Sequence, residues 1–251
     1  MRLLVFQHIA CEHPGIFRTF LEEDRIGWDA VRLYEGDAIP KLKDYDALWV
    51  MGGPMDVWDV DEHPWLVPEK QAIRRWVREI GRPFLGICLG HQLLADALGG
   101  TCGPQRPAEI GILDIELTEL GCSDPIFAGL PARQKCLQWH SVRVAQPPEG
   151  AAVLASSTVC DIQAMRIGDA AWSMQYHVEL EPDTIGAWGQ VPAYDQALTA
   201  AQGAGALKRM AEKATPLMTD FNRNAQRLYG NFMRLARKRE GATSSIRALK
   251  A

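Results

Sequence analysis

The chain has 251 residues, 47% of them hydrophobic and 23% charged, with a net charge of −4. That length suits one large α/β domain, and the mildly acidic balance offers no basic field for nucleic acid or an anionic membrane surface. No stretch approaches the roughly 18 uninterrupted apolar residues of a membrane-spanning helix, so neither nucleic acid nor membrane is an expected partner.

The opening MRLLVFQHIA breaks into CEHPG without the apolar core or cleavage site of a signal peptide, so it reads as a first strand and a cytoplasmic location is expected. The six cysteines (Cys11, Cys88, Cys102, Cys122, Cys136 and Cys160) include no CxxC pair. They indicate neither a disulfide framework nor a zinc site, and no metal or cofactor is expected.

The first half alternates short apolar runs with helical patterns: LLVFQ, a helix near Phe17 to Glu23, DAVRLY, ALWVM, a helix from about Glu69 to Ile80, then PFLGI. Such alternation predicts a parallel sheet covered by helices. The loop from Gly52 to Pro68 follows the strand ending at Met51, at the sheet edge where open α/β folds place their sites. After a helix from about Gly90 to Leu98 come closely spaced strand patterns, ILDIELT, KCLQWHSVRV, AAVLAS, DIQAMRI and AAWSMQYHV, which predict a partly antiparallel or mixed sheet.

From Pro182 the pattern is helical, and Phe221, Ala225, Leu228, Phe232 and Leu235 form one apolar stripe suited to docking on the domain. Arg234, Arg237, Lys238 and Arg239 read as a solvated helix end, where cations complement the dipole. The expected organisation is a main α/β domain over 1–190, a helical extension over 191–240 packed on it, and a tail without fixed structure over 241–251.

Chemistry concentrates in Gly86-Ile87-Cys88-Leu89-Gly90, a nucleophile with glycines two positions either side, between a strand and an apolar helix. This is the layout of a nucleophile elbow. At a helix N-terminus the thiol is expected to be acidified from its usual ~8.5. Such a nucleophile needs an imidazole, and the imidazole an orienting acid. His177 and Glu179 answer this, because a spacing of two puts both on one face of a strand. His91 has no evident acid partner and is read as packing at the helix start, His140 in QWHS as a pocket wall, and His8, His13 and His63 as outside any constellation. An oxyanion hole could take the N–H of Leu89 and that of the Gly52-Gly53-Pro54 turn.

With these parts in order (MGGPMDVWD, GICLGHQLLADALGG, QWHS and QYHVELEP), the sequence from about Leu3 to Glu181 resembles the class I glutamine amidotransferases, particularly stand-alone members similar to the amidotransferase half of GMP synthase. The resemblance implies a flavodoxin-like three-layer α/β sandwich whose Cys-His-Glu triad hydrolyses the glutamine side-chain amide through a γ-glutamyl thioester. It implies Cys88 as nucleophile, His177 as base and acid, Glu179 as orienting carboxylate, Gly53 and Leu89 as oxyanion donors, and Gly52, Gln92, His140 and Ser141 as substrate contacts. One departure is Val142, where similar proteins often carry an acid for the substrate's α-amino group; Arg143 and Arg106 offer charge of the opposite sign. No synthetase domain or GxxxxGK[ST] loop is present, so the ammonia acceptor would be a separate synthetase subunit. The alternatives are a free-standing γ-glutamyl amide or peptide hydrolase with the same triad, and a catalytically silent binding module. Against α/β hydrolases and DJ-1-like proteins stand the acid following the histidine and Leu89 following the cysteine.

Overall fold

In the computed structural model of the chain, the backbone is described for residues 1–248 and the side chains for residues 1–238. Strands β1 (Arg2–Gln7), β2 (Gly27–Arg32), β3 (Ala47–Val50) and β4 (Phe84–Ile87) alternate with helices α1 (Phe17–Glu23), α2 (Leu66–Arg75) and α3 (Leu89–Ala97). Then follow β5 (Thr101–Leu117), α4 (Glu119–Ser123), β6 (Arg133–Gln146), β7 (Ala151–Ser156), β8 (Ala164–Ile167) and β9 (Ala171–Met174). Four helices close the chain: α5 (Thr184–Trp188), α6 (Pro192–Gln202), α7 (Ala206–Ala214) and α8 (Met218–Ala248).

The strands form one mixed sheet of nine in the order β2-β1-β3-β4-β9-β8-β7-β5-β6. The first five in that order run parallel and the remaining pairings are antiparallel. The fold is a flavodoxin-like α/β sandwich. β1 is apolar on both faces because each is covered: Leu3 and Val5 point into a core shared with α1 and α8, Leu4 and Phe6 into one shared with α2 and α3. A third core forms where the long β5-β6 hairpin packs against α5, α6 and α7 through Ile110, Leu137, Trp139, Trp188 and Leu198.

Phe221, Ala225, Leu228 and Phe232 of α8 are buried, with Leu235 partly so. The helix continues to Ala248 without a proline to stop it, so Arg234, Arg237 and Lys238 lie within it and not at its end. Arg237 pairs with Asp24 at 2.9 Å. The backbone of 241–248, most of the segment expected to lack fixed structure, belongs to this helix, and 249–251 lie outside the described residues. No described helix is long and apolar enough to cross a membrane.

Sheet register explains where the site lies. Phe6, Val50, Gly86 and Ser173 stand side by side on adjacent strands. Two residues further on in each strand direction come His8, Gly52, Cys88 and Gln175, so four polar or special residues converge at one carboxyl edge.

Candidate active site

Cys88 occupies the turn between β4 and α3 with φ +52° and ψ −106°, a backbone state costly for any residue with a side chain. The flanking glycines have steric reasons. A Cβ at Gly86 would meet the carbonyl oxygen of Gly90, and one at Gly90 would collide with the backbone of Val50. The Cys88 N–H donates to the Met174 carbonyl (2.9 Å) and the Gly90 N–H to that of Met51 (3.1 Å), tying the elbow to both neighbouring strands.

His177 and Glu179 come together, but not on a strand. β9 ends at Met174, and His177 sits beyond it on an isolated bridge, its N–H donating to the Leu137 carbonyl at 2.9 Å. The hairpin strand β6 has reached across and taken that pairing. His177 Nδ1–H donates to Glu179 Oε1 (2.8 Å), while Glu179 Oε2 accepts the Val178 N–H (2.8 Å). The Glu179 carbonyl accepts the Ile16 N–H (2.9 Å), and Gly15 leaves room for it. The His177 Nε2 is buried without a hydrogen-bond partner among the described residues, and the Cys88 thiol is close enough to act on the ring's charge.

Electrostatics separate the two partners in an unexpected direction. Burial opposes charge on His177, yet Glu179 and Cys88 outweigh it and hold the imidazole well above its ordinary range. Burial also pushes the Cys88 thiol up, only partly offset by His177. The helix N-terminus therefore does not give a freely acidified thiol. The site pairs a thiol made a weaker acid with an imidazole made a stronger base.

Gly53, Leu89, Gln92, His140 and Ser141 line a cleft of about 80 Å³ together with Cys88, Asp56, Trp139, Val142 and, from α6, Ala193, Tyr194 and Ala197. Gly53 and Leu89, the two expected oxyanion donors, share this wall, and no acceptor takes the Gly53 N–H among the described residues. Gln92 Nε2 donates to the Val142 carbonyl and to Gln175 Oε1 (both 3.1 Å), and Gln175 Nε2 donates to Cys88 Sγ at 3.7 Å. His140 lies 3.2 Å from the buried Glu109 and bonds the Val142 carbonyl at 2.9 Å. Arg143 faces Asp161 at 3.8 Å.

Gly52 stands behind this wall. Its missing side chain makes room for the carboxylate of Glu12, which a Cβ would strike, and not for a substrate. Glu12 is itself buried and hydrogen-bonded by the Tyr194 hydroxyl. Burial raises its pKa, with His177 and Tyr194 pulling it back. Glu12, His177 and Glu179 offer ligand atoms within 4.8 Å of one another, close enough for a cation, although Glu179 already engages His177 Nδ1. Trp188 packs edge-on against His177 at 4.4 Å between centroids. Glu12, Tyr194 and Trp188 escape sequence reading because a lone Glu in a turn and two aromatics in short helices carry no spacing signal.

His91 is fully buried, bonded to Ser173 Oγ at 2.9 Å, and held neutral by burial, its pKa lowered to about 3. An unfolded His protonates near ~6.5, so as pH falls below that value the unfolded chain takes up a proton the native state refuses, at about 1.4 kcal/mol per pH unit. In urea unfolding at pH 7 and pH 5, His91→Gln is expected to lose about 2 kcal/mol less than the wild type over that interval; equal losses would contradict the buried neutral ring.

The family model described as glutamine amidotransferase class-I matches residues 22–187. A glutamine-hydrolyzing GMP synthase subunit of Sulfolobus acidocaldarius is 31% identical over 157 residues, covering 62% of this chain and 79% of that protein. The glutamine amidotransferase-like protein YfeJ of Salmonella typhimurium is 30% identical over 224 residues, covering 84% of this chain and 89% of that one. Among solved structures, a glutamine amidotransferase of Thermotoga maritima superposes with a TM-score of 0.82 at 25% identity, covering 94% of this chain and 97% of that one.

Proposed function

The chain belongs to the class-I glutamine amidotransferase family, and from that premise we propose that it hydrolyses the side-chain amide of glutamine through a thioester on Cys88. The observation that carries this reading is the buried Glu179–His177 hydrogen bond set beside the thiol in its strained turn.

In the proposed cycle His177 takes the Cys88 proton as sulfur attacks the amide carbon. The carbonyl oxygen gathers negative charge and is met by the Gly53 and Leu89 N–H groups. His177 then gives its proton to the leaving nitrogen, the C–N bond breaks, and ammonia departs from a γ-glutamyl thioester. Water, deprotonated by His177, attacks that thioester; glutamate leaves and the thiol recovers its proton. Glu179 keeps the ring in the tautomer that presents Nε2.

The small cleft, closed on one side by Ala193, Tyr194 and Ala197, favours ammonia over a bulky amine as leaving group. By analogy with the Sulfolobus acidocaldarius relative, itself one subunit of a GMP synthase, ammonia would pass to a separate synthetase subunit. Glutamate release from glutamine and from a panel of γ-glutamyl amides and peptides tests the reading. Glutamine is expected to be the preferred substrate, with a glutamine-analogue electrophile labelling Cys88 alone. Preferential turnover of γ-glutamyl peptides would favour the hydrolase alternative, and labelling at Cys102 or Cys136 would refute the nucleophile.

A further inference from the structure

The end of β1 carries a second buried histidine–glutamate pair. His8 Nδ1 lies 2.8 Å from the Gly52 carbonyl oxygen, and His8 Nε2 lies 2.8 Å from Glu69 Oε1 of α2. Both side chains are fully buried, and the imidazole stacks on Trp65 at 5.5 Å between centroids, nearly parallel. A carbonyl and a carboxylate both accept, so the ring donates from both nitrogens. Although burial opposes the charge, Glu69 and the Gly52 carbonyl outweigh it.

The Gly52 carbonyl belongs to the same peptide unit as the Gly53 N–H. In a planar trans peptide the C=O and N–H point in opposite directions, so whatever holds the carbonyl on one side aims the N–H on the other. The two residues of this unit are glycines, the least able to hold a peptide plane by themselves. We infer that His8, oriented by Glu69, is a positioning residue that fixes the Gly52–Gly53 peptide so that the Gly53 N–H faces the cleft as an oxyanion donor.

This inference rests on the proposed amide hydrolysis and adds to it a group that touches neither substrate nor sulfur. Its function is to pre-orient a donor before charge develops, and a misaligned donor forfeits much of the roughly 10²–10³ in rate that one donor supplies.

His8→Phe keeps the ring volume and the stack on Trp65 but removes the hydrogen bond. It is expected to lower kcat for glutamine by about 10- to 100-fold, with KM within about threefold and the rate of Cys88 alkylation by iodoacetamide within about twofold, since alkylation builds no oxyanion. Glu69→Gln can still hold the ring with Nδ1–H on the carbonyl and is expected to stay within about tenfold of wild type. Glu69→Leu, which frees the ring to turn, should follow His8→Phe, so this pair of variants tests the inference even where His8→Phe folds poorly. Turnover in both His8→Phe and Glu69→Leu within about twofold of wild type would overturn it, as would alkylation falling in step with kcat. A wild-type enzyme inactive on every γ-glutamyl amide would instead overturn the proposed function, and that control is read first.

Discussion

Cys88→Ala is expected to lower glutamine turnover by at least ~10⁴-fold while leaving the protein folded, as loss of a nucleophile does in triad enzymes. None of the other five thiols is placed to substitute, and the exposed Cys122 lies outside the cleft like the rest. Cys102 is pushed up to about 12, Cys11 and Cys160 to about 11, and Cys136 higher still by burial, and none of them lines the cleft. Alanine has the same difficulty as cysteine with φ +52°, so strain in the turn is unchanged and thermal unfolding should shift little. Glutamate release checks the first half, and circular dichroism on heating checks the second. Undiminished turnover would remove Cys88 from the chemistry.

The second large effect is on stability. Gly90 lies in the first turn of α3, where replacing glycine by alanine ordinarily gains up to ~1 kcal/mol. Here the new methyl would collide with the Val50 carbonyl, and neither backbone can yield, because Gly90 N–H is anchored to Met51 and Val50 lies in the sheet between β1 and β4. Gly90→Ala is therefore expected to cost about 3 kcal/mol or more, through overpacking at a site that cannot relax. Gly230→Ala in α8, where nothing lies within 4 Å of the added carbon, serves as the reference and should be neutral or stabilising. Urea unfolding of the two variants decides it; a Gly90→Ala protein as stable as Gly230→Ala would refute the steric account.

The parallel half of the sheet is readable from composition because strands buried on both faces appear as unbroken apolar runs separated by helical patterns, and Leu3 to Phe6 and Phe84 to Ile87 behave so. Cys88, His177 and Glu179 are readable because glycine spacing and a His-x-Glu pair leave marks within a few residues. His177 shows the limit of that reasoning. Alternation suggests that β9 runs through it, whereas the chain leaves the sheet after Met174 and pairs with Leu137, a partner no local pattern can reveal. His8 gives the complementary lesson. It looks isolated because Gly52 and Glu69 lie 44 and 61 residues away, and only the sheet register and the packing of α2 on the sheet bring them to it. The space that Gly52 leaves is likewise filled by a residue 40 positions earlier, Glu12, so the reason for the glycine is invisible in its own neighbourhood.

The sheet order has a consequence for how the protein comes into being. β4, which delivers Cys88, pairs on one side with β3 and on the other with β9, whose first residue, Ala171, lies far downstream of Ile87. During synthesis the first four strands can assemble while β4 is still an edge, presenting unpaired backbone groups of an apolar strand until β9, Ala171 to Met174, has emerged. A nascent chain in that interval carries Cys88 without His177 and Glu179 beside it and is vulnerable to edge-to-edge association, so slowing translation between β4 and β9 should favour aggregation over yield, and the arrival of β9 both covers the edge of β4 and joins the parallel half of the sheet to the antiparallel half.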